Sequence, residues 1–374
     1  MTEFKRHHYV PQFYLRNFCV DSQVEKNLAS VALFNLRSEI HVPATKIREQ
    51  CQLSYLYGDD LVFEKLFAKA EGVISGIISE IILTNQPPLK NSAKHFDVLS
   101  FIVFQRDRTP TAANAIQKKA AHVKKAQLKL GTKTKGLESY NELENDLTKS
   151  VLLSIGADAR SCPVLADLWM KVLVNKTEVE FVTSDAPVVV YNQWGQGVRE
   201  VSPTGWVSLG LQIFWPLSPQ HLLLLYDGKI YDASKQPGKT IDVTDARDVN
   251  QINSLQLLSC NENIYYSGDV KTAEAINNLP FHLCLNEAES LKSVLTIDDR
   301  GQYKIFHNSE MSNLKLDLSF LKVIKSKSKI PLNKRIHQTR PAAINVSNAL
   351  FGPRPEEFSN EMDRKKHRIL ETYD

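Results

Sequence analysis

The stretch Glu178-Val179-Glu180-Phe181-Val182-Thr183, followed after a turn by Pro187-Val188-Val189-Val190-Tyr191, marks a change of period in the chain. Ahead of it apolar residues recur at helical spacing, whereas here polar and apolar residues alternate as on a half-buried strand. The two runs predict consecutive strands. Working back from them, Asp59-Asp60 offers an N-cap to an amphipathic pattern through Leu83 that Pro87-Pro88 ends. A second helix is expected from about Ser92 to Arg108, because Pro110 biases Thr109 away from helical geometry. A third runs from about Thr111 to Leu130, and two more are expected between about Tyr140 and Leu173, broken near Ser161-Cys162-Pro163.

Working forward, Leu211–Trp215 and His221–Tyr226 predict two strands joined by a Pro216-Leu217-Ser218-Pro219 turn. A helix from about Thr244 to Ser259, with Thr244 as N-cap, precedes strands at 263–267, 293–297 and 302–306, the last pair turned by Asp299-Arg300-Gly301. Near the start, Ser30–Leu36 and Glu39–Pro43 read as a hairpin. The expected fold class is α+β. A helical first half (about 59–174) packs on a mainly antiparallel sheet (about 178–310) within one domain spanning 1–320. Residues 321–374 read as a basic C-terminal tail, an extended appendage, since Lys322, Lys325, Lys327, Lys329, Lys334, Arg335 and Arg340 meet no acid before Glu356.

The 374 residues are 43% hydrophobic and 24% charged, with a net charge of +4, so any polyanion binding must rest on a local patch. Two patches qualify: the lysine-rich helix 111–130 (Lys118, Lys119, Lys124, Lys125, Lys129) and the basic tail 322–340. A solvated helix face and a solvated tail are the plainer accounts of both. Five scattered cysteines without a Cys-x-x-Cys pair fit a reduced cytoplasm, and no run approaches the roughly twenty apolar residues of a membrane span. A cytoplasmic protein is expected.

The opening Lys5-Arg6-His7-His8-Tyr9-Val10-Pro11-Gln12 concentrates protonatable groups just ahead of the apolar run Phe13–Phe18. It resembles the start of an uncharacterised, mostly bacterial family of unknown function whose members begin His-His-Tyr-Val-Pro-Gln, two residues, then Leu-x-x-Phe. Here that is His7 to Gln12, Leu15 and Phe18. Gln-x-x-Arg-Thr-Pro (Gln105–Pro110), Thr-Ser-Asp-x-Pro-Val (Thr183–Val188), Pro-Leu-Ser-Pro (Pro216–Pro219) and an Asn-rich helix (Val249–Asn253) extend the resemblance. It implies a shared fold and a shared site, and no activity; the period change near Glu178 adds the expectation that the opening motif docks between helices and sheet.

The chemistry has to come from the residues. The phosphate-loop, dinucleotide, metalloprotease and nucleophile-elbow signatures are absent. What remains is a set of candidate catalytic residues, His7, His8, Asp185, Arg106 and Arg108, with Gln12, Tyr14, Gln105, Ser184 and Asn250 as candidate substrate contacts. An imidazole that moves a proton, a carboxylate that orients it or holds a divalent metal, and an arginine fork for phosphate point to phosphodiester cleavage on a nucleic acid or nucleotide. An effector role in bacterial antiviral or toxin systems fits that activity. Cofactors stay open. The competing reading is a non-catalytic nucleic-acid- or protein-binding module in which His7, His8 and Asp185 tie the N-terminus to the sheet. Arg106 and Arg108 then merely offset a helix dipole, and Asp185 accepts backbone N–H groups. Catalysis requires imidazole, Asp185 and an arginine around one solvent-reachable pocket, whereas a latch buries them as satisfied pairs.

Overall fold

A computed structural model describes residues 6–21, 24–59, 62–131, 142–197, 203–233, 238–281, 291–297, 303–309, 314–335, 338–351 and 368–373. The chain opens with β1 (Arg6–His8) and a helical turn α1 (Gln12–Leu15) continued as a 3-10 turn to Phe18. The hairpin β2 (Ser30–Asn35) and β3 (Ile40–Lys46) turns through Glu39 at φ 57°, and β4 (Gln52–Ser54) pairs antiparallel with β1. Then come α2 (Val62–Thr84), α3 (Ala93–Asp107) and α4 (Pro110–Leu130). Ser92 caps α3 and Thr109 caps α4, which has Pro110 in its first turn and ends at left-handed Gly131, so each boundary has a local cause. α5 (Leu147–Asp158), capped by Asp146, closes the helical half.

The expectation of helix up to residue 174 is corrected here. Cys162–Leu165 is a 3-10 turn and β5 spans Trp169–Asn175. β6 (Thr183–Ser184), β7 (Val189–Tyr191), β8 (Gln212–Ser218), β9 (His221–Tyr226), β10 (Tyr231–Asp232) and β11 (Thr240–Val243) follow, then α6 (Ala246–Ser259) and β12 (Asn263–Tyr266). The N-cap of α6 is Asp245, not Thr244. The main sheet has the order β11-β5-β9-β8-β7, antiparallel except for β11 with β5, and a second, antiparallel sheet has the order β3-β2-β12-β6. The expected strand over 178–183 is corrected to the two residues Thr183–Ser184, with 178–182 irregular; β6 and β7 belong to different sheets, and the chain crosses between them at Asp185.

The main sheet is covered on both sides. Leu223 and Leu225 of β9 with Ile213 and Trp215 of β8 pack on Ile74, Ile78, Leu99 and Ile102 of α2 and α3. Leu222, Leu224 and Phe214 face the other way, onto Val249, Ile252 and Leu255 of α6 and onto Leu314–Leu321. A strand buried on both faces has no reason to alternate, which explains His221–Tyr226 and also why β5 looked helical. The opening motif sits inside the first of these cores, with Val10, Tyr14, Leu15 and Phe18 all buried against α2, α3 and the sheet.

The C-terminal part is built in, not appended. α7 (Val270–Asn277) is followed by β13 (Leu291–Ile297) and β14 (Tyr303–Ser309), and the Asp299–Gly301 turn lies outside the described residues. β15 (Lys322–Val323) pairs with β10, and a short α8 (Lys325–Ser328) leads on to α9 (Pro341–Phe351). β16 (Arg368–Tyr373) pairs with β13 to complete a third sheet, β14-β13-β16. Arg340 is 1% exposed; its guanidinium donates to both Asp167 oxygens at 3.0 Å, to Ser208 O and to Val164 O. Arg335 lies over Trp194 and donates to its carbonyl oxygen. Two of the seven cations thus hold the fold. No helix among the described residues is long and apolar enough to cross a membrane.

Candidate functional site

The fold brings the separate motifs to one junction. Tyr14 Oη donates to Pro216 O at 2.5 Å, which uses its only proton, so the 2.7 Å contact with Thr183 Oγ1 has the threonine as donor. Asn17 Nδ2 donates to Leu217 O, and Gln105 Nε2 donates to Tyr9 O at 2.9 Å. Asn253 of α6 accepts from Val182 N and donates to Glu180 O, which holds the irregular run before β6 in place without a sheet ladder.

His7 is buried and stacked on Tyr57, whose amide donates to Nδ1 at 3.0 Å. That bond places the ring proton of the neutral form on Nε2, 3.6 Å from Glu64 Oε2. His7 Nδ1 has no lone pair left for a substrate proton. His8 is only partly buried, with Nε2 3.2 Å from Arg48 O. Burial lowers its pKa, the charges of Arg108 and Arg16 adding to the effect while the Arg48 carbonyl and Glu71 oppose it, so the imidazole is neutral near neutral pH.

Arg108 is fully buried: Nε donates to Gln105 Oε1 at 3.0 Å, Nη1 to Glu71 Oε1 at 2.7 Å, and the guanidinium lies over the Phe104 ring at 4.6 Å. Its Nη2 has no hydrogen-bond partner among the described residues, and neither has the buried Nε of Arg16, whose Nη2 donates to Gln12 Oε1. Two guanidinium groups with unclaimed donors therefore lie within electrostatic range of one neutral imidazole. Gln12, Gln105, His8 and Arg108 are gathered here; Arg106 is directed elsewhere, to Asp107, Asp158 and the Trp206 ring.

Asp185 is 2% exposed and accepts from the amides of Asn261 (2.8 Å), Glu262 (2.7 Å) and Asn263 (3.1 Å). Burial pushes its pKa up and the three N–H donors oppose it. The carboxylate thus clasps the turn before β12, and among the described residues none of its hydrogen bonds goes to an imidazole or arginine. Ser184 Oγ donates to Gln256 Oε1, and Tyr14 is spent on the two bonds above. Asn250 lies on α6, its Oδ1 buried without a hydrogen-bond partner among the described residues.

Glu64, Glu71, Arg16 and Gln256 were missed by the sequence reading. Glu64 and Glu71 stand seven apart on α2, two turns along one helix face, and that spacing was the available signal. Among the described residues no group of three or more His, Cys, Asp or Glu is arranged to hold a metal ion. On α4, Lys124 pairs with Glu144 at 2.5 Å and Lys129 with Glu371 of β16, which reduces the expected polyanion track.

An α+β chain whose motifs meet at a junction of this kind is the class defined so far. The model of the family described as "Protein of unknown function (DUF4238)" matches residues 6–269, and the chain belongs to that family. No curated protein and no solved structure gives a match to the chain. The third sheet, from β13 onward, lies beyond the matched residues.

Proposed function

We propose that the junction around His8 is a phosphate site and that the chain is a phosphodiester-cleaving enzyme acting on a nucleic acid or nucleotide. The observation that carries this reading is the pair of unclaimed arginine donors, Arg108 Nη2 and Arg16 Nε, beside an imidazole kept neutral. A phosphate oxygen accepts what those donors offer, and the charge that develops on phosphorus is stabilised by the same groups. Neutral His8 takes the proton of the attacking water or hydroxyl, and Glu71 holds Arg108 in position. In this reading His7 is a positioning residue, and Asp185 holds the turn before β12, outside the site. The test is incubation with labelled RNA, DNA and a nucleotide panel with Mg²⁺, Mn²⁺ or chelator, alongside His8→Ala and Arg16→Gln. Turnover lost in both variants at unchanged melting temperature supports the assignment. An effector role in antiviral or toxin systems adds growth arrest on expression in a bacterial host, relieved by His8→Ala.

A second reading has its own observation: His7, Arg108 and Asp185 are buried among protein partners, as a latch requires. There the same residues hold a non-catalytic module that binds nucleic acid or protein. An intact substrate panel combined with salt-dependent retention of nucleic acid on a filter selects it.

A further inference from the structure

A second candidate site lies on the far end of the main sheet, where the Pro87-Pro88 segment and the first turn of α3 meet the start of β5. A cavity of about 280 Å³ there is lined by Lys90, His95, Trp169, Lys171 and Lys239 together with the two prolines and Met170. None of its lining residues belongs to the junction around His8. Three lysines and a histidine share the wall, with no carboxylate among the described residues that form it. Lys171 is buried within that wall.

A further observation points to a ligand. His95 is 1% exposed, and its Nδ1 has no hydrogen-bond partner among the described residues. A ring nitrogen shut away from water without a partner is the condition a bound ligand relieves. Lys90 spends two of its three N–H donors on Asp167 O and Leu168 O at 3.3 and 3.4 Å, which fixes the ammonium and leaves the third. The remaining wall is largely apolar. Trp169 is 57% exposed, yet one side of its indole lies so close to Gly228 that a Cβ there would fall 2.6 Å from Nε1. Only glycine allows that approach. The cationic wall calls for an anion, and the open indole with Met170 and the prolines calls for a flat, largely apolar body.

We propose that this cavity binds a small ligand that joins a planar ring to a phosphate, a mononucleotide being the compact form of that chemistry. The ring stacks on Trp169 and the phosphate meets Lys90, Lys171, Lys239 and His95 Nδ1. Calorimetric titration of the full chain with adenosine 5′-monophosphate, with adenosine and with inorganic phosphate tests it. The monophosphate is expected to bind at least about tenfold more tightly than either half alone. Trp169→Ala, Lys171→Met and His95→Phe should each weaken it by about tenfold. Lys239→Gln, at an exposed position where folding is not at stake, should weaken it severalfold. His8→Ala should leave it unchanged, which separates this site from the phosphodiester reading. Absence of saturable heat from the monophosphate at millimolar concentration overturns the proposal, as does binding that none of the four cavity variants alters. Adenosine or phosphate binding as tightly as the monophosphate overturns the joined ligand.

Discussion

Asp185 shows how one side chain changes meaning between sequence and structure. In sequence it is a carboxylate in a turn after a strand, a good position for chemistry; in space it is spent on three backbone amides. Asp185→Ala is expected to strand these buried donors and to cost about 3 kcal/mol, read as a lower urea midpoint at unchanged slope. An unaltered midpoint would remove the clasp from the account. His307 gives a prediction in pH. Burial, with help from the charges of Lys119 and His122, pushes its pKa from 6.5 down to about 4, and Ser293 Oγ contacts both His307 Nδ1 and His122 Nδ1 at 2.7 Å. The native state keeps His307 neutral while the unfolded chain protonates it below its ordinary value. Its contribution is thus fully present above about 6.5 and lost as pH falls toward about 4. Melting temperatures across that window should fall more steeply for the wild type than for His307→Gln; parallel curves would assign the acid sensitivity to other groups.

At the scale of elements the largest revision concerns the C-terminal segment. Composition marked it as an appendage because cations gather there without acids nearby in sequence, but Arg340 finds Asp167, a residue 173 positions away. Local sequence cannot display such a pairing. Arg340→Met is expected to cost about 3 kcal/mol, since it leaves Asp167 and the carbonyls of Val164 and Ser208 without their donor. Truncation after residue 321 removes β15, α8, α9 and β16, uncovers Trp194 and Ile230, and should lower the melting temperature by many degrees. An unchanged melt for the truncated chain would restore the appendage.

At the scale of the whole molecule, α2 and α3 bury their apolar faces on a sheet drawn from residues 169–243, with the opening motif between them. Residues 1–168 expressed alone are therefore expected to give no cooperative melt and poorly dispersed amide signals. A sharp transition for that fragment would divide the chain into two independent units. The same architecture makes the His8 junction depend on both halves, because Arg108 comes from α3 while Tyr14 is anchored to Thr183 and Pro216.

The sequence by itself determined what depends on neighbours along the chain. The Pro110 break bounded α3 and α4, the β-rich runs on either side of Arg37-Ser38 made a hairpin, and the helix-then-strand order set the α+β class. Its motifs also named Gln105 and Arg108, which are hydrogen-bonded, and His8, which lies within electrostatic range of Arg108. Tertiary structure decided the rest. β5 was hidden because burial on both faces erases the period that identifies a strand. Asp185 left the candidate site, and Glu71 and Arg16 entered it, because hydrogen-bond partners are chosen by distance in space. A carboxylate surrounded by amides and a guanidinium with a donor to spare are facts of the packed interior, and side chains from α1, α2 and α3 become neighbours only when the core closes around them.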